Sequence, residues 1–127
     1  MMQSNVYNLE ERSYLFAKKV RGFVKNIEKS ISNKEDIKQL VRASGSVAAN
    51  YIEVNENLGP RDILMKLKIC KKESKEAILW LRLLDVEKVR EDERQELIRE
   101  ATELKNILAT IYRKISQKGE IKMSNPI

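Results

Sequence analysis

Gln39 to Glu53, reading QLVRASGSVAANYIE, is the stretch that decides the fold of this chain. Arg42, Ser46, Asn50 and Glu53 recur at steps of four, four and three, which places them on one side of a helix. Ile37, Leu40, Val41, Val47, Ala48, Tyr51 and Ile52 fall on the other side. An apolar stripe backed by a polar one is the pattern of a helix that buries one face in a bundle. The run from Ala43 to Ala49 is rich in small residues and contains Gly45. A helix-interior glycine costs about 1 kcal/mol against alanine, so close approach of another helix is expected there. A phosphate-cradling loop does not fit, because Gly-Lys-Ser/Thr is missing and no strand pattern precedes the run.

Outward from this stretch, the helical period repeats. A first helix is expected over about residues 9–30, with Phe16, Val20, Phe23, Val24, Ile27 and Ile31 on its core stripe. Ser32 and Asn33 then supply a break and a cap, and Glu35 and Asp36 suit the first turn of a second helix over 35–54. Residues 55–60, NENLGP, form the clearest breaker: Gly59 can take a positive φ and Pro60 fits a first helical turn. The third helix spans about 61–84, with Ile63, Leu67, Cys70, Ser74, Ala77, Ile78, Leu81 and Leu84 inward and 85–90 as its last turn. The fourth, over 91–117, opens on Glu91, Asp92 and Glu93 and buries Leu97, Ala101, Leu104, Leu108, Ile111 and Ile115. Gly119 is the expected stop, and 119–127 the expected mobile tail. Four long helices with short connections predict an all-α fold: one domain over 1–127, an antiparallel up-down-up-down four-helix bundle.

Composition narrows the function. The 127 residues contain no His and a single Cys70, so Ser-His and Cys-His catalysis, His-based zinc sites and the Glu-x-x-His di-iron pattern have no ligands or bases to use. Neither an enzymatic activity nor a cofactor or metal is expected. One cysteine, an N-terminus without an apolar signal core and no membrane-length apolar run point to the cytoplasm. A net charge of +6 favours an acidic partner, nucleic acid above all.

Two stripes could meet such a partner: Lys18, Arg21, Lys25 and Lys29 on the first helix, and Lys68, Lys71, Lys72, Lys75 and Arg82 on the third. Solvated lysine faces are common; phosphate contact without base readout is the functional reading. No aromatic interleaving is expected in either stripe, which argues against base stacking. The third helix also carries a second arc of Met65, Ile69, Glu73, Glu76, Trp80 and Leu83. Either Trp80 lies between helices of its own bundle, or the arc is a subunit interface, since exposed apolar area costs roughly 25 cal/mol per Å². Buried carboxylates need partners, and Arg42, Ser46 and Asn50 are the candidates for Glu73 and Glu76, within or between subunits.

With these residues in view, the chain resembles the four-helix-bundle family of the 23S rRNA intervening-sequence protein, also called the S23 family. That family's second helix reads approximately Q-L-x-R-S-x-x-S-I-x-A-N-I-x-E, against Gln39–Glu53 here. Its third reads approximately I-A-x-K-E-x-x-E-x-x-x-W-L-x-L-L, against Ile69–Leu84 here. Ala43, Tyr51 and Cys70 stand where the family has Ser, Ile and Ala, and Glu53-Val54 alters the pair after the asparagine. The resemblance implies an antiparallel bundle assembled as a ring, commonly a homopentamer, without enzymatic activity. It implies rRNA or other nucleic acid as partner. A relative that serves diversity-generating retroelements makes a reverse-transcriptase scaffold the alternative.

Overall fold

The computed structural model describes residues 9–56 and 59–124, with side chains described as far as 118. The helices are α1 (Leu9–Val24), α2 (Ile31–Val54), α3 (Pro60–Leu83) and α4 (Glu91–Ser124), with a short 3-10 turn at Lys88–Arg90; no strand occurs among the described residues. Each helix packs on its neighbours in the chain, and α1 closes the bundle by packing on α4, so α1 and α3 stand diagonally across it. The core is built at helical spacing from all four: Phe16, Val20 and Phe23; Leu40, Ala43 and Val47; Leu67, Cys70 and Leu81; Ala101, Leu104 and Leu108. Fully burying one Leu or Phe contributes roughly 1.5–3 kcal/mol, so this stripe pairing is what holds the helices together.

The ends of the helices differ from the sequence expectation. α1 stops at Val24 rather than near residue 30. Lys29 Nζ folds back to donate to the carbonyls of Val24 (2.9 Å) and Ile27 (2.6 Å), satisfying acceptors that the helix end leaves open. α2 starts four residues early, because Ser30 is its N-cap, accepting from the Asn33 amide at 3.2 Å. Ser32 and Asn33 are therefore inside the helix and do not break it. This shift turns Ile31 outward, 87% exposed, although the spacing placed it in the core. Ile52 is likewise exposed at the rim of α2.

Asn33 is buried and ties two loops together. Its Nδ2 donates to the Glu28 and Asp85 carbonyls, both at 2.9 Å, and its Oδ1 accepts from the Asp85 amide at 3.0 Å. With Asp85 held this way, α3 ends at Leu83, and the chain runs extended before the 3-10 turn instead of finishing another helical turn. Arg94 closes the same corner by donating to the carbonyls of Leu81 and Leu84. At the other end, α4 runs through Gly119 to Ser124, so glycine does not stop it; residues 125–127 of the expected tail lie outside the described residues. At about 1.5 Å per residue, the 34 residues of α4 reach roughly 50 Å.

Candidate nucleic-acid interface

The polar stripe of α2 faces the groove between α2 and α3. Arg42 donates through both terminal nitrogens to Glu73, at 3.4 Å each, and to Glu76 at 3.2 Å. The Glu73 side chain is only 7% exposed, whereas that of Arg42 is 52% exposed. Lys72 approaches the same two carboxylates at 3.9 and 4.0 Å. Further along the groove, Glu53 pairs with Lys66 at 2.6 Å. Ser46 and Asn50 do not reach Glu73 or Glu76: the Asn50 amide nitrogen donates to the Ser46 carbonyl (2.9 Å) and hydroxyl (3.1 Å) inside α2. The paired carboxylates are thus neutralised within one chain, by Arg42 and Lys72. Among the described residues no cluster of His, Cys, Asp or Glu is placed to hold a metal ion.

Trp80 is half-buried on the same side of α3, and its indole N–H has no partner among the described residues. Leu83 is exposed one turn further along, Met65 is exposed toward the other end of α3, and Ile69 is half-buried. Small residues in α2 serve a different contact from the one expected. A Cβ on Gly45 would meet the Arg21 guanidinium at 3.2 Å, so the glycine makes room for a side chain crossing from α1.

The lysines of α3 gather on its outer surface. Lys68, Lys71, Lys72 and Lys75 line a shallow groove of about 440 Å³, with Glu76 and Leu79 completing it. Lys71 sits over the Tyr112 ring of α4, 5.2 Å from its centroid, a cation–π contact that holds its stem in place. Arg82 is exposed near the C-terminal end of α3. In the other stripe, Lys18 on α1 and Lys25 just past its end are exposed. Its remaining members have structural work: Arg21 donates to the carbonyls of Ala17 (3.0 Å) and Val41 (3.5 Å), and Lys29 caps the helix. Because α1 and α3 are diagonal, the two stripes face opposite sides of the molecule and form no single surface. Two aromatic rings lie near the stripes: Tyr14, 51% exposed, stands one turn before Lys18, and Tyr112 lies under Lys71. Neither lies within a stripe: Tyr14 precedes Lys18 by four residues, and Tyr112 belongs to α4 with Lys71 over its ring.

One ion-pair cluster between helices was not legible in the sequence. Arg12 of α1 grips Glu100 (2.7 and 3.0 Å) and Glu103 (2.9 Å) of α4. Hydrogen bonding to Glu100, with help from Glu103, raises the Arg12 pKa against the opposing effect of burial. Its place beside the core stripe of the first helix is the one local hint; a partner 88 residues away leaves no mark in the surrounding sequence. Cys70 donates weakly to the Val47 carbonyl from a fully buried position, and burial pushes its thiol up to about 12.

Comparison with known proteins agrees with this architecture. The family model described as 23S rRNA-intervening sequence protein matches residues 6–110. A crystal structure from Bacteroides thetaiotaomicron, of a protein with unknown function from the S23 ribosomal protein family, is similar to it. The TM-score is 0.68 at 26% identity, covering 81% of this chain and 96% of that one. No curated protein matches. With most of its length covered by that family model, the chain belongs to the family of 23S rRNA-intervening sequence proteins.

Proposed function

We propose that this protein is a non-enzymatic, ring-forming bundle, a homopentamer, that holds structured RNA such as rRNA by its phosphates. The reading rests on the groove of Lys68, Lys71, Lys72 and Lys75, which presents adjacent cations on one helix face. Lysines at this spacing contact successive phosphates and read shape rather than sequence. Assembly is supported by Met65 and Leu83, large apolar side chains exposed on α3 that a second subunit would cover.

A filter-binding titration against a structured rRNA fragment tests it. Four phosphate contacts give a salt slope of about −3 to −4, taking about −0.9 per contact. Replacing Lys71 and Lys75 by Gln should lower the slope by about 2, at the same per-contact value. Lys18→Gln with Lys25→Gln, on the opposite side, should leave it nearly unchanged. Absence of binding at low salt sinks the proposal. The exposed Met65, Leu79 and Leu83 favour one second reading, a scaffold for a protein such as a reverse transcriptase. A pull-down that survives nuclease treatment would select it.

A further inference from the structure

The sign of the charge on α4 changes partway along it. Residues 91–103 hold six acidic side chains, whereas residues 104–118 hold none and four basic ones, Lys105, Arg113, Lys114 and Lys118. The acidic part is engaged by α1: Glu93, Glu96 and Glu100 line a groove with Lys19 and Phe23, and Arg12 binds Glu100 and Glu103. On α3, Glu73 and Glu76 are held from the α2 side by Arg42. These carboxylates thus engage α1 or α2, away from the seam where Lys71 of α3 meets Tyr112 of α4.

Two contacts fix the register of that seam. Arg94, near the start of α4, donates to the Leu81 carbonyl near the end of α3 at 3.1 Å. Lys71, in the middle of α3, lies over the Tyr112 ring, 5.2 Å from its centroid. The two helices are therefore antiparallel. Lys105 precedes Tyr112 by two helical turns, so it shares the Tyr112 face of α4 at about 10.5 Å along the axis. The same step in the opposite sense on α3 leads from Lys71 to Ile78, with Lys75 at the turn between. Lys105 thus stands level with Ile78 and across the seam from Lys75. Packed helix axes lie about 8–10 Å apart, a gap that two lysine side chains reach into from opposite sides. Lys105 is half-buried, which fits a stem laid along the seam with its ammonium in water. Among the described residues none of Lys71, Lys75 and Lys105 is in an ion pair.

We infer that the RNA phosphate backbone runs along the α3–α4 seam, gripped by Lys71 and Lys75 from α3 and by Lys105 from α4. This rests on the phosphate-binding reading above and extends it to a second helix. Tyr112 serves the seam by holding Lys71 in place. The ring face that the ammonium covers is closed to a stacking base, in keeping with contact to phosphates.

Salt titrations of filter binding on the structured rRNA fragment, with the full chain, test it. Lys105→Gln should lower the salt slope by about 0.9, the value of one phosphate contact, and Lys105→Arg should preserve it. Arg99→Gln removes the same charge from another face of the same helix and should leave the slope unchanged. An unchanged slope in Lys105→Gln, while Lys71→Gln with Lys75→Gln still lowers it, overturns the seam and leaves the phosphate-binding reading standing. Equal losses in Lys105→Gln and Arg99→Gln also overturn it, because net charge alone then accounts for both. Absence of binding by the parent chain removes both readings.

Discussion

Replacing Arg42 with Met removes a charge while keeping most of the apolar stem, and it tests what holds the α2–α3 groove. Glu73 is left as a carboxylate only 7% exposed, with Lys72 at 3.9 Å as its remaining cation. Two unit charges about 4 Å apart attract by about 4 kcal/mol at an effective dielectric of 20. Arg42 is 52% exposed, so solvent screens roughly half of that, and Lys72 offsets part of the rest. The expected loss is about 1.5 kcal/mol, well below the 3–5 kcal/mol typical of breaking a fully buried pair. For 127 residues the unfolding entropy is near 270 cal/mol/K, so the midpoint should fall by about 6 °C. Thermal unfolding followed by circular dichroism, at one protein concentration, measures it. Adding Glu73→Met should recover about 1 kcal/mol, because the buried carboxylate goes with its partner. A midpoint shift under about 1 °C, or strictly additive losses in the double variant, would refute the pairing as a source of stability.

Other outcomes follow from the same geometry. Asn33→Ala should cost about 2–3 kcal/mol in urea unfolding, because it leaves the Asp85 amide and carbonyl without their buried partner. Ser30→Ala should cost about 1 kcal/mol, the usual value of an N-cap. Trp80→Ala should lower the mass seen by light scattering, whereas Glu73→Gln should leave the mass intact and reduce stability, because Glu73 is paired within its own chain. Cys70 titrates from 9.0 in the open chain to about 12 in the fold. The folded state thus favours the neutral thiol, and the stability from this group is complete below 9.0 and lost as pH rises toward about 12. Cys70→Ala should flatten the alkaline limb of a stability–pH curve, and the parent thiol should resist a thiol reagent near pH 8 until urea is added.

The helices were legible because their evidence is local. Apolar residues at steps of three and four mark Phe16–Val20–Phe23, Leu40–Val47 and Leu97–Leu108, and all of these positions are buried. Helix ends were less legible because several are set from a distance. Ser30 and Ser32 are equally plausible caps when read alone. Asn33 chooses between them by bonding Asp85, which is 52 residues away. Gly119 is a different case. A helix-interior glycine weakens a helix by about 1 kcal/mol, too little by itself to end one that is already more than twenty residues long.

The basic stripes show a different limit. Charge at helical spacing tells which side chains share a face, but not what else that face touches. Arg21 and Lys29 fit the stripe of Lys18 and Lys25, yet the fold uses both to satisfy backbone carbonyls between and at the ends of helices. The α3 lysines differ because their helix has its carboxylates, Glu73 and Glu76, turned toward Arg42 on α2. That pairing leaves Lys68, Lys71 and Lys75 on the outer surface, with Glu76 the acidic side chain that lines their groove. The polar residues of the Gln39–Glu53 stretch therefore matter to an RNA-facing surface indirectly. By pairing with Glu73 and Glu76 from the α2 side, Arg42 offsets negative charge at the edge of the lysine groove, so Arg42→Met should weaken RNA binding as well as the fold. Glu76→Gln separates the two effects: it removes negative charge beside the lysines and should tighten binding at low salt while changing stability by under about 1 kcal/mol. Unchanged binding in Glu76→Gln, with Arg42→Met losing stability alone, would show that the α3 groove is not where RNA sits.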